Sequence, residues 1–238
     1  MSFEESMEIM QRAVKLWQQV GQEPSEQQYH DFVSLVSLAI NKAGEPVAIY
    51  HSILSQVHFD MENYPDAWQE AEKTLAIADD DFKAQCIKSI IAYAFYSDAM
   101  EESQNKKLGL MDTLGVLSNM TQGYRKGEEA GRKIGEAIGS KKNAAQAKTL
   151  FAQEMRNLVT VYKKVCANGI DAEDFLDYSQ RLIKMADGLG KSGISLEGEM
   201  NLYALVANTP TDQIVCETDE EKENIKTAQL IALGRMAA

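Results

Sequence analysis

The chain reads as an all-α protein of about ten antiparallel helices, and three observations predict that class. Apolar residues recur at three- and four-residue steps through most of the 238 residues. There are four prolines, and no segment alternates apolar and polar residues as a half-buried strand would. Where the periodicity breaks, the residues suit helix ends: Pro24-Ser25, Gly44, Asn168-Gly169, Asp171 and Thr218.

Residues 3 to 20 place Phe3, Met7, Met10, Val14, Trp17 and Val20 on one face, which predicts an amphipathic helix ending at Gly21. Pro24 with Ser25 opens a second helix whose inward residues are Tyr29, Phe32, Val33, Val36 and Ile40, and Gly44 closes it. A third helix carries Ile49, Ile53, Leu54, Val57 and Met61. A fourth, after the turn Asn63-Tyr64-Pro65, carries Ala67, Trp68, Ala71, Leu75 and Ala78. Pro46 and Pro65 suit first helical turns, where an N–H has no partner to lose. After the acidic turn Asp79 to Asp81, a fifth helix is apolar nearly all round at Ile87, Ile90, Ile91, Tyr93, Ala94 and Phe95, which predicts burial on most sides.

The polar stretch from Glu101 to Lys107 is the predicted domain boundary, giving residues 1–101 and 107–238. Beyond it, Gly123, Gly127, Gly131, Gly135 and Gly139 form a four-residue ladder, which in a helix falls on one slowly drifting face. Five glycines cost roughly 4 to 5 kcal/mol of helix propensity relative to alanine, so close packing against another helix, or self-association, has to offset them if the segment is a helix. A long helix then runs to about Ala167 with Ala144, Ala147, Phe151, Met155, Leu158, Tyr162 and Val165 buried. Asp171 caps the next, which turns Phe175, Leu176, Leu182, Ile183 and Ala186 inward. A helix from about Ser195 to Ala207, and a last one from the Thr218–Glu221 capping box to about Leu233, complete a bundle or a continued array.

Charge is unevenly spread. Residues 1–100 carry 6 basic and 16 acidic side chains, 101–164 carry 12 and 7, and 165–238 carry 6 and 13. A basic middle between acidic ends favours packing within the chain or between copies. Arg125, Lys126, Arg132 and Lys133, with Lys141 and Lys142 beyond them, are candidate anion-binding residues, but the acidic remainder opposes nucleic acid by long-range repulsion. The acidic start MSFEESMEIMQ has no secretory pattern, no apolar run is long enough to cross a membrane, and three widely spaced cysteines suit a reduced, cytoplasmic setting.

No catalytic constellation emerges. Gly190-Lys191-Ser192 lacks the glycine and the preceding strand that a phosphate loop requires. His30, His51 and His58 have no supporting ligand spacing, so neither metal nor another cofactor is expected. Asp79 to Asp81 lack the alternating spacing of a calcium loop and suit a helix N-terminus instead.

The helix-turn-helix at 46–79 is about 34 residues long, with Leu54 and Ala67 at its packing positions, Tyr64 before the second helix, and Ser55 where a glycine is usual. In these features it resembles a tetratricopeptide repeat. It departs from the pattern at His51, His58, Ala71 and Asp79. The resemblance implies a helical-repeat array, with Ile49, Ser52, Gln56, Phe59 and Asp60 facing a partner groove. The leading expectation is therefore a non-enzymatic protein-interaction or scaffold protein, binding a protein partner or a second copy. An enzyme with a helical-bundle site, and an anion or nucleic-acid binder using residues 125–142, are the alternatives.

Overall fold

A computed structural model describes residues 3–20, 24–104, 144–194, 196 and 198–237. It is all-α, with nine α-helices among the described residues. They are α1 (Phe3–Gln18), α2 (Glu26–Ala43), α3 (Ala48–Asp60), α4 (Tyr64–Ile77), α5 (Phe82–Gln104), α6 (Ala144–Ala167), α7 (Ala172–Lys191), α8 (Leu202–Ala207) and α9 (Asp219–Met236). The described chain divides into two compact units, and the division falls between Ile91 and Ala92, inside α5. The polar stretch at 101–107 begins inside α5, which continues to Gln104.

The first unit is built from two helical hairpins, α1 on α2 and α3 on α4. Its core joins Ile9, Met10 and Ala13 to Phe32, Val36 and Ala39, and these to Tyr50, Leu54 and Val57. Trp17 closes on Phe32 with ring centroids 4.8 Å apart. Small residues set the helix spacing. Ser6 sits fully buried and donates its hydroxyl to the Ala39 carbonyl at 2.7 Å, and Ser55 donates to the Ala67 carbonyl at 2.9 Å. Each bond lets one backbone approach another while satisfying a buried hydroxyl.

Caps fix where these helices start and stop. Ser25 and Gln28 form a reciprocal capping box at α2, and Gly44 ends that helix at φ 78°, in the left-handed region. Pro65 lies in the first turn of α4 as expected. Pro46 does not open α3; Val47 is the N-cap, so the proline stands one residue outside. Asp81 accepts the Ala84 N–H at 2.8 Å, so the acidic turn caps α5. Lys88 of α5 lies 4.5 Å from the centre of the Trp68 ring and 3.6 Å from Glu72, tying α5 to α4.

α5 is buried on nearly every side, as its all-round apolar sequence requires. In the second unit Tyr93 and Tyr96 both meet Phe151 of α6, at 5.5 and 5.6 Å. The core there is Met155, Leu158, Phe175, Leu182 and Val206. Asp171 caps α7 and Thr218 with Glu221 caps α9. The predicted helix over 195–207 is shorter than expected: a 3-10 turn, Gly198–Met200, precedes α8, which Asn201 caps. One small feature escaped the sequence reading, a two-residue parallel ladder of β1 (Ile170–Asp171) with β2 (Ile214–Val215). Two residues per strand are too few to show alternation.

Candidate partner-binding groove

α1 presents its apolar residues differently from the expected stripe. The buried face is Ser6, Ile9, Met10 and Ala13, rotated by about 90° from the face centred on Phe3, Met7 and Val14. Phe3 and Met7 are consequently left 46% and 42% exposed. The reason is the opposing helix: the small side chains of Ser6 and Ala13 permit contact with α2, and the larger Phe3 and Met7 turn away.

These two residues form one wall of a groove of about 440 Å³, which also takes in Met10 and Val14 of α1. Val47, Ile49 and Tyr50, at the start of α3, form the other wall. Ile49 is 56% exposed. Gln11, Lys15 and Gln18 edge the groove, so its floor is apolar and its outer rim polar.

Of the five residues assigned to a groove from the repeat resemblance, the structure places Ile49 alone in this one. Ser52 is buried at 8% exposure. Phe59 is equally buried and meets Tyr64 edge-on at 5.7 Å. Gln56 is half-buried and donates its amide to the half-buried Asp60 carboxylate at 2.7 Å, one turn along the same helix. Ser52 and Phe59 are thus covered by their own chain, because α3 packs against both α2 and α4. The glycine ladder, Gly123, Gly127, Gly131, Gly135 and Gly139, lies outside the described residues. So do Arg125, Lys126, Arg132, Lys133, Lys141 and Lys142.

The histidines do not converge. His51 Nδ1 lies 2.6 Å from Glu70, which also accepts from Lys73 at 2.6 Å. Burial pushes the Glu70 carboxyl up, but the hydrogen bonds from Lys73 and His51 outweigh it and hold the group below its ordinary value. His58 faces Tyr29 at 2.6 Å, while His30 lies 3.8 Å from Glu26. Among the described residues no group of three or more His, Cys, Asp or Glu side chains is placed to hold a metal ion.

Cys86 and Cys166 are buried, Cys216 is half-buried, and all three are free thiols. Burial raises the Cys166 pKa, which disfavours the nucleophilic thiolate. Gly190 and Lys191 end α7 and Ser192 is its C-cap, so that triplet is helix termination. The second unit also holds a cavity of about 370 Å³, where the Tyr162 and Thr209 hydroxyls meet at 2.8 Å beside Cys166. Another, of about 420 Å³, is lined in part by Tyr203 and Arg235.

No protein-family model matches the chain, and no curated protein or solved structure is significantly similar to it. Among the described residues no helix is long and apolar enough to cross a membrane.

The sequence places Phe3 and Met7 on the buried face of α1, and the structure leaves them exposed. Their spacing is as helical as that of core residues, and only Ser6 and Ala13, small residues on the neighbouring face, carried a signal that the packed side lay elsewhere.

Proposed function

We propose that this chain is a non-enzymatic, cytoplasmic interaction protein that docks a segment of a protein partner in the groove between α1 and the first turn of α3. The observation that carries the reading is the exposure of Phe3, Met7 and Ile49 together around one concave, largely apolar surface. Single exposed apolar residues are ordinary, but a clustered and concave set gains from being covered. Covering the three removes on the order of 300 Å² of apolar surface from water, which at about 25 cal/mol per Å² is worth roughly 7 kcal/mol before the costs of association. The paired hairpins of the first unit, and the resemblance of the α3–α4 unit to a tetratricopeptide repeat, support the same reading. Three free cysteines support a reducing compartment.

A photo-crosslinking amino acid at position 49, with exposed Gln69 on α4 as the control position, tests it in cells. Discrete adducts are expected from position 49 and not from 69, and Met7→Glu is expected to remove them without changing helicity. Equal labelling from both positions would defeat the reading.

A further inference from the structure

The geometry of the α1 wall points to the kind of partner the groove takes, and the inference rests on the docking reading above. From Phe3 to Gln18 that wall is one continuous helix whose internal peptide groups are bonded to one another. An extended segment laid along it would set its own N–H and C=O groups against Phe3, Met7, Met10 and Val14, whose apolar side chains and internally bonded backbone offer them no partner. Such burial is costly, whereas a helix satisfies its own backbone and presents only side chains.

Charge decides the rest. Glu4 and Glu8 each follow a groove residue, Phe3 and Met7, by one position. Together with Gln11, Lys15 and Gln18 they form a second row at four- and three-residue steps, beside the apolar row Phe3, Met7, Met10 and Val14. All five members of this polar row are exposed. It begins with two carboxylates and has a single ammonium toward its other end. Residues 1–100 as a whole carry 16 acidic side chains against 6 basic ones, so the local and the long-range fields have the same sign.

We propose that the groove binds an amphipathic helix of a partner protein, apolar on one face and basic along the flank that meets Glu4 and Glu8. The span from Phe3 to Gln18 is about 22 Å at 1.5 Å per residue, which matches a partner helix of about four turns. Its apolar anchors would fall at i, i+3 or i+4, and i+7, the spacing that keeps them on one face. The charge row selects a partner flank of opposite sign and fixes its direction and register.

The test uses the full chain and three fluorescent peptides of about 15 residues: a leucine–lysine amphipathic helix, the same helix with glutamate for lysine, and the lysine peptide with a central proline. Fluorescence anisotropy is expected to show saturable binding of the lysine peptide, about ten-fold or more tighter than either of the others. Ile49→Glu is expected to weaken it by about ten-fold or more. The exposed pair Glu4→Lys and Glu8→Lys gives a second reading that leaves the groove floor intact, and is expected to reverse the preference between the lysine and glutamate peptides.

Equal affinity for the two charged peptides, binding that Ile49→Glu leaves unchanged, or tighter binding of the proline peptide would overturn the proposal. If crosslinks from position 49 persist in that case, only the partner's chemistry is wrong and docking at the groove stands. If they are absent as well, both fall. Self-association of the chain that Ile49→Glu abolishes would also overturn it, and would assign the groove to a second copy.

Discussion

Asn63, on the α3–α4 turn, uses both amide hydrogens: one goes to the Asp66 carboxylate at 2.6 Å, the other to the Tyr29 hydroxyl oxygen at 3.1 Å. Tyr29 is buried, and its hydroxyl oxygen lies 2.6 Å from His58 Nδ1. With that oxygen already accepting from Asn63, we assign the Tyr29 hydroxyl as the donor and His58 as a neutral acceptor at Nδ1. Burial, the largest influence, pushes the His58 pKa below its ordinary 6.5. Asp66 and Glu70 oppose that shift and Lys73 reinforces it. Because the folded state resists the proton, the unfolded chain takes it up first as pH falls, and stability is lost below about pH 6.5. The urea midpoint is therefore expected to drop between about pH 7.5 and about pH 5.5, and to drop less in His58→Phe. Equal pH dependence in the two proteins would refute the assignment. Glu70 acts in a lower window: its depressed pKa contributes stability above the ordinary carboxyl range, lost with further acidification. None of this network is legible in sequence, because Tyr29, His58 and Asn63 belong to different elements and only packing brings them within bonding distance.

Among the elements, the helix ends were the most legible features and the helix faces less so. Ser25, Gly44, Asp171 and Thr218 cap as their types predict, because a cap depends on contacts within four residues. Gly44 gives the sharpest test. It holds φ 78° with nothing within 4 Å of where a Cβ would stand, so a side chain there meets a conformational cost and no clash. Gly44→Ala is expected to destabilise the first unit by about 1 to 2 kcal/mol, measured by urea unfolding, and Gly44→Asn by less. A neutral alanine would mean the left-handed cap is not held. The face of α1 was misread for the opposite reason. Several stripes on an amphipathic helix satisfy the same period, and the choice among them rests on the shape of α2, which no local pattern encodes.

Across the whole molecule, α5 is the element both compact units share: Lys88 engages Trp68 and Glu72 in the first, and Tyr93 and Tyr96 meet Phe151 in the second. Ala92, fully buried, stands at the division. Ala92→Pro removes a helical hydrogen bond and is expected to cost about 3 kcal/mol or more. The chain's two tryptophans, Trp17 and Trp68, lie in the first unit, so fluorescence reports that unit while far-UV circular dichroism reports all the helices. Both midpoints are expected to fall in Ala92→Pro. A fluorescence midpoint that stays put would show that the first unit does not depend on a continuous α5.

The sequence by itself determined the class of fold, the capped helix ends at Ser25, Gly44, Asp171 and Thr218, and the near-complete burial of α5, since helical period, capping chemistry and all-round hydrophobicity are properties of neighbours along the chain. The tertiary structure alone decided that Ser52 and Phe59 are covered, that Phe3, Met7 and Ile49 are not, and that two histidines on α3 have unlike partners. Each of these depends on which surface of a helix meets another, and that is settled by the fit of side chains far apart in sequence.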